Sequence, residues 1–358
     1  LRSPLYVIEE LVTGAPPPIL DLKLTPDSWS NNSEFILEWK TPTWEAQRDL
    51  IGAVIEISDG ISDYTQYLGF PTGDTLTTFK FKIPEAGTFD TELWLVDELG
   101  NEDQDSSIAV TAYFDDIPPS PFHIYAPNSY QTSEGNTEIW YSGDKPFFEW
   151  ADLGDYPSGL EKWEIFVRDK SDESVTKYGT YNRDDFKKHG PGSPPDHVYV
   201  RDEEKPLKDG YYDWWVVSID SAGNGTHSDT GYFGVDISPP FIAHNNPLTV
   251  IDENTTSPSI SAEFSDGASG VSIGKLNYRR AGTGAGFVKV DLLDGPVNIP
   301  GSDIKSVGLE YYIETVDNVG NFGKWPEDKA YQSVRVRTED PVSTSGNLNI
   351  PGGTDSTS

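Results

Sequence analysis

Apolar and polar residues alternate along most of this chain, and three of the alternating runs are versions of one phrase. GTFDTELWLVDELGN ends at Asn101, GYYDWWVVSIDSAGN at Asn224 and GLEYYIETVDNVGN at Asn321. Counting back in twos from the Asp near each end gives Leu95, Leu93 and Phe89 in the first copy. The second gives Val216, Trp214 and Tyr212, and the third Ile313, Tyr311 and Leu309. A period of two predicts a strand with one buried face. Each copy closes on Asp-x-x-Gly-Asn, at Asp97, Asp220 and Asp317. There Gly supplies positive φ and the Asp side chain can bond the turn's own backbone, so a hairpin turn is expected. Three such strands predict three β domains in tandem.

The rest of the chain repeats around them. In the first unit FILEW places Phe35, Leu37 and Trp39 on one face; AVIEIS, TTFKFKI and IAVTAYF read as further strands. In the second, PFFEW ends at Trp150, and KWEIFVRD and TGYFGV follow. In the third, Ile260, Ala262 and Phe264 stand where the tryptophan strand is expected, with KLNYRR, FVKVDLL and YQSVRVRT after them. Asp115-Asp116-Ile117-Pro118-Pro119 and Asp236-Ile237-Ser238-Pro239-Pro240 mark the boundaries. The predicted layout is an extension over 1–15, sandwiches over 16–116, 117–237 and 238–338, and a Gly/Ser/Thr-rich tail over 339–358. Leu5–Val12 is apolar enough to pair as a strand or to end a preceding domain, and the Leu1 start suggests a processed or excised segment. The fold class is all-β: three immunoglobulin-like, fibronectin type III-like sandwiches in an elongated array. Strands of about ten residues give units roughly 35 Å long.

Charge narrows the function. There are 26 Lys and Arg against 59 Asp and Glu, a formal net charge of −33. That excludes a general nucleic-acid binder, argues against anionic membranes and favours cations. With no Cys, disulfides, thiolate metal sites and cysteine nucleophiles are excluded. There is no run of 18 apolar residues, so no direct membrane insertion is expected.

Three features together resemble the tandem immunoglobulin-like and fibronectin type III-like repeats of exported bacterial surface proteins. They are the aromatic strand with its Asp-x-x-Gly-Asn end, the lead-in at Ser158-Gly159-Leu160 and Ser269-Gly270-Val271, and the Asp-x-x-Pro boundary at Asp116 and Asp236. The first unit departs from the pattern, with Asp49-Leu50-Ile51 where Ser-Gly is expected. The resemblance covers residues 16–337 and implies an extracellular, bacterial setting. It implies a non-enzymatic structural or adhesive role in a stalk, sheath, filament or surface layer, with neighbouring copies, other surface proteins or glycans as partners. The alternative is a carbohydrate-binding accessory region of a secreted hydrolase. Fold alone does not choose between them.

Site residues are read against plainer roles. The turn residues Asp97, Asp220 and Asp317 offer oxygens suited to Ca2+, although the hairpin alone explains them. Asp115, Asp116 and Asp236 sit at the boundaries, where a cation can clamp a hinge by drawing on carboxylates of the following domain. Trp39, Trp150 and Trp214 fall on inward registers, whereas Trp163 and Trp215 fall on the opposite one and are candidates for sugar stacking. The long stretch of the second unit holds Asp184, Asp185, His189 and His197, where a solvated loop or a partner site is expected. His-Glu-x-x-His, Gly-x-Ser-x-Gly and a phosphate-cradling Gly-rich loop are all missing, so no catalytic residue is assigned.

Overall fold

A computed structural model describes residues 14–337 apart from 45–48, 70–75, 128–129, 133–134, 138, 184–196, 201–204, 253–254, 256 and 305–306. The Leu5–Val12 segment, the 339–358 tail, and Asp184, Asp185 and His189 lie outside the described residues. The protein is all-β. The named helical elements are short: a 3-10 turn at Gln104–Ser106 and an α turn at Gly301–Ile304. The chain divides into two compact units. One comprises Leu1–Asn128, Phe147–Asp202 and Asp213–Tyr232; the other comprises Ser129–Pro146, Glu203–Tyr212 and Phe233–Ser358.

The first unit opens with seven strands: β1 (Leu20–Thr25), β2 (Glu34–Lys40), β3 (Leu50–Ser58), β4 (Asp63–Gly69), β5 (Leu76–Lys82), β6 (Gly87–Asp97) and β7 (Ile108–Phe114). They form two antiparallel sheets, ordered β1-β2-β5 and β4-β3-β6-β7. Three strands face four across one core. Phe35, Leu37 and Trp39 of β2 meet Ala53 and Ile55 of β3 and Leu93 and Leu95 of β6. This is the arrangement of an immunoglobulin-like sandwich. Alternation explains it: the inward residues of β2 are fully buried while Glu34, Ile36 and Glu38 are not. Trp94, Val54 and Val96 bury a second, smaller cluster on the outer face, where the Trp94 indole N–H donates to Glu102 (3.0 Å).

This unit also holds β8 (Ile124–Ala126), β12 (Phe148–Ala151) and β15 (His197–Val200), ordered β15-β12-β8. With them are β13 (Leu160–Asp169), β14 (Val175–Asn182), β17 (Gly225–His227) and the part of β16 (Gly210–Asp220) from Asp213 onward. Its core is aromatic. Phe148 packs edge-on to Trp214 (4.8 Å) and Trp150 edge-on to Trp163 (5.9 Å). Buried Asp213 takes Arg168 and Lys170 as ion-pair partners.

In the second unit β9 (Tyr130–Thr132) pairs with β10 (Gly135–Thr137), and β11 (Trp140–Tyr141) runs parallel to the Gly234 and Val235 end of β18 (Gly231–Val235). The remaining strands are β19 (Phe241–Ala243), β20 (Val250–Asp252), β21 (Ser259–Ile260), β22 (Glu263–Ser265), β23 (Val271–Arg280), β24 (Val288–Asp291), β25 (Val297–Asn298), β26 (Leu309–Asp317), β27 (Phe322–Trp325) and β28 (Gln332–Arg337). A sheet ordered β20-β28-β26-β23-β24, with β27 on β26, shares one core with the pairs β19–β22 and β21–β25. The strand expected through Ile260, Ala262 and Phe264 is two short strands. Ile260 pairs toward Val297 and Phe264 toward Ile242, so the chain changes partner between them.

A polar link crosses this core. His244 follows β19 and is buried. Its Nδ1 lies 2.6 Å from the Ser261 carbonyl, which can only accept, so Nδ1 carries the proton. Nε2 then accepts from the Tyr311 hydroxyl (2.8 Å), which itself accepts from the Leu248 N–H (3.1 Å). Burial lowers the His244 pKa, the Ser261 bond only partly offsetting it, and burial raises that of Tyr311. A depressed His pKa means the unfolded chain binds the proton first. This contribution to stability is therefore complete above about pH 6.5 and is lost as pH falls from there through the folded pKa. Tyr311→Phe leaves His244 Nε2 and the Leu248 amide without this partner and should destabilise the unit by roughly 1–3 kcal/mol in denaturant melts. His244→Gln should flatten the acid-side loss; an unchanged pH profile would place the loss elsewhere.

Candidate metal centres

Two groups of three carboxylates stand out, one in each compact unit: Asp115, Asp155 and Asp220, and Asp236, Asp266 and Asp317. Within each group one oxygen per residue lies within 4.8 Å of the others. The two are built alike. Asp115 directly follows β7 and Asp236 directly follows β18; Asp155 and Asp266 lie in the loops leading to β13 and β23; Asp220 and Asp317 end the phrase strands β16 and β26.

Local chemistry fixes each carboxylate. In the turn, Asp220 Oδ1 accepts from the Ala222 and Asn224 amides (2.9 and 2.8 Å), and Asp317 Oδ1 accepts from Val319, Gly320 and Asn321 (2.7–2.9 Å). Gly223 and Gly320 have φ of +90° and +100°, which a side chain would strain. The closing Asn does two jobs. Asn224 Nδ2 donates to Asp220 Oδ2 and to the Asp115 carbonyl (both 2.8 Å). Asn321 Nδ2 donates likewise to Asp317 Oδ2 (2.7 Å) and the Asp236 carbonyl (3.0 Å). The lead-in loop closes the third side. The Ser158 amide donates to Asp115 Oδ2 and the Ser269 amide to Asp236 Oδ2 (both 3.0 Å), while Gly159 and Gly270 donate to Asp155 and Asp266 (3.1 and 2.6 Å).

The charge balance is what makes these groups unusual. Asp115, Asp220, Asp236 and Asp317 are buried, and among the described residues no Lys or Arg forms an ion pair with any of the six. At an effective dielectric near 20, two carboxylates this close repel by about 3–4 kcal/mol. Accordingly the Asp155 carboxyl is raised above the usual carboxylate range, by burial first and then by the charges of Asp115 and Asp220. The donor set is oxygen only, which suits a hard cation. Hard cations such as Ca2+ take carboxylate oxygens as ligands.

Of the turn and boundary residues singled out in the sequence, Asp115 and Asp220 come together, as do Asp236 and Asp317. Asp97 and Asp116 join neither group. Asp97 is buried and holds its own turn through Leu99 and Asn101. Asp116 is exposed. Asp155 and Asp266 were not singled out, although the sequence carries a signal: each stands three residues before the Ser-Gly lead-in, as Asp-x-x-Ser-Gly-aliphatic.

The remaining sequence candidates separate clearly. Trp163 is a correction: it is 1% exposed and packed on Trp150, so it offers no face to a sugar. It shares the inward face of β13 with Ile165 and Val167, which are also buried. Trp215 is half-buried and stacked on Phe166 (5.6 Å, 9°). His197 begins β15, opposite Ala151.

No family model and no curated relative matches this sequence. Among solved structures, the FN1–FN3 domains of chicken CNTN1 align at 12% identity and a TM-score of 0.25, covering 90% of this chain and all of that one. A structure concerned with host cell surface retention of a 1.5-MDa bacterial ice-binding adhesin aligns at 13% and 0.32, covering 91% of this chain and all of that one. Both scores are low, and the immunoglobulin-like fold rests on the strand order and shared cores above. No helix among the described residues is long and apolar enough to cross a membrane, which says nothing of strands.

The raised Asp155 pKa sets a sign. Between the ordinary carboxylate pKa and the raised one, the folded chain holds more protons, so this group's contribution to stability falls as pH rises through that window. In chelator at neutral pH, Asp155→Asn should therefore raise the melting temperature. In millimolar Ca2+ the same variant should melt below the parent. Melts that shift the same way in both buffers would show that the carboxylate is not held against repulsion.

Proposed function

We propose that the chain is a non-enzymatic structural or adhesive module of an exported surface protein, and that Ca2+ binds at the two tri-carboxylate centres. The observation that carries the reading is the repetition of one uncompensated oxygen cage, assembled from three separated segments in each compact unit. Each cage draws on the residue that ends one sandwich and on two loops of the next. Asp115 leaves β7, whereas Asp155 lies in the loop before β13 and Asp220 ends β16. A cation there ties strand end to loop and removes the repulsion that otherwise loosens both. Asp-rich sites on extracellular modules hold Ca2+ with dissociation constants of roughly 0.1–1 mM. Such sites fill outside the cell, which supports an extracellular setting. Neighbouring copies or other surface proteins are the partners this reading expects.

Thermal melts in millimolar Ca2+ and in excess chelator test it directly. Ca2+ at about ten times the dissociation constant stabilises a single-site unit by about 1.4 kcal/mol. The melting temperature should rise with Ca2+ and much less with Mg2+, which demands tighter octahedral geometry. Asp236→Ala should abolish the response of the second unit and leave that of the first. If Ca2+ leaves both transitions unchanged, the carboxylates serve turns and solubility alone.

A further inference from the structure

The edge strands of the first sandwich are not protected alike. A sheet edge exposes unpaired N–H and C=O groups, and proteins blunt it with Lys, Pro, a bulge or a covering segment. Strand β1 has a register shift between Leu20 and Lys23 and an ion pair from Lys40 to Asp21. Strand β5 carries exposed Lys80 and Lys82. Strand β7 is bridged by Ser30, whose amide donates to the Tyr113 carbonyl and whose carbonyl accepts from Asp115. Among the described residues strand β4, DYTQYLG, has none of these devices. It contains no Lys, Arg or Pro, and its seven pairs with β3 run from Ser58–Asp63 to Gly52–Gly69 without a shift. Tyr64, Thr65 and Tyr67 are exposed.

The face beside this edge is acidic. Thr65 lies opposite Glu56, which lies opposite Glu92; Asp63 lies opposite Ser58, which lies opposite Asp90. Among the described residues no Lys or Arg forms an ion pair with Glu56, Asp63, Asp90 or Glu92. A second copy fits the edge poorly. Two copies at −33 repel, and neither β4 would bring basic residues to the acidic face. We infer that β4 is a docking edge for an extended strand from a partner protein, with Lys or Arg at alternate positions. Backbone pairing to β4 would supply affinity. The alternate cations would lie over the acidic face beside Tyr67, fixing face and register.

Hydrogen exchange of the full chain, read over residues 63–69, tests this with a ten-residue peptide alternating Lys and Thr. A peptide of the same composition with all its lysines in one block is the control. At about 0.15 M salt, where long-range attraction is screened, the alternating peptide should bind roughly tenfold tighter and slow exchange in β4. Thr65→Lys should weaken it by about tenfold while leaving the melting temperature unchanged. Equal binding by the two peptides would mean bulk attraction to an acidic chain and would overturn the inference. So would protection that falls outside β4. Concentration-dependent protection of β4 without peptide, lost in Thr65→Lys, would make a second copy the occupant and overturn it as well.

Discussion

Like charges packed without a counter-charge are the constraint around which both compact units are arranged. Each cage takes three carboxylates from segments far apart in sequence, and each carboxylate is held by backbone amides rather than by basic side chains. Amide bonds fix position and offset desolvation, but they do not cancel charge. At Asp155 burial first, and then the charges of Asp115 and Asp220, raise the carboxyl pKa. Two outcomes relieve such a site: a proton or a cation. At neutral pH a cation is the one that leaves all three carboxylates ionised.

The phrase strand explains why the cages recur. Its inward alternation commits β16 and β26 to the centre of a sheet, and its last residue is the turn Asp. The turn then needs an Asp whose Oδ1 takes the turn amides, leaving Oδ2 beside the closing Asn. The same Asn reaches the carbonyl of the strand-end Asp, so the hairpin and the incoming chain share one side chain. The first sandwich has the turn, with Asp97 and Asn101, but among the described residues it lacks the strand-end Asp and the lead-in Gly. Gly14 and Ala15 precede its prolines where Asp would be needed, and Asp49 stands at the position of Gly159 and Gly270. The Glu98 amide bonds the Asp49 carbonyl as Ser221 bonds that of Gly159 and Asn318 that of Gly270, so the backbone match survives the loss of the motif.

Much of this was legible in the sequence because burial follows a period of two. Leu93, Leu95, Trp214, Val216, Tyr311 and Ile313 are all in cores, as their alternation requires. Four of the six cage residues were legible for a different reason: turns and strand ends have local signatures. Asp155 and Asp266 were harder, since nothing local tells a loop carboxylate from a solvated one until the fold folds it inward. Trp163 misled because its register was misplaced: in β13 it alternates with buried Ile165 and Val167 on the inward face, against Trp150. Strand β4 was missed because both of its faces are largely polar, so no alternation marks it.

That last miss bears on how such a chain meets others. Alternation reports only strands that bury a face, and a strand kept for pairing at its edge has little reason to do so. In this sandwich the three edges that are bulged, lysine-bearing or bridged hold their order through protection, while β4 holds its order through β3 alone. Among the described residues its acidic face has no ion-pair partner, as the two cages have none. The same imbalance that draws a small cation to a buried cage would draw a basic strand to an open edge. The difference is one of access: the cages admit an ion, and β4 presents a backbone.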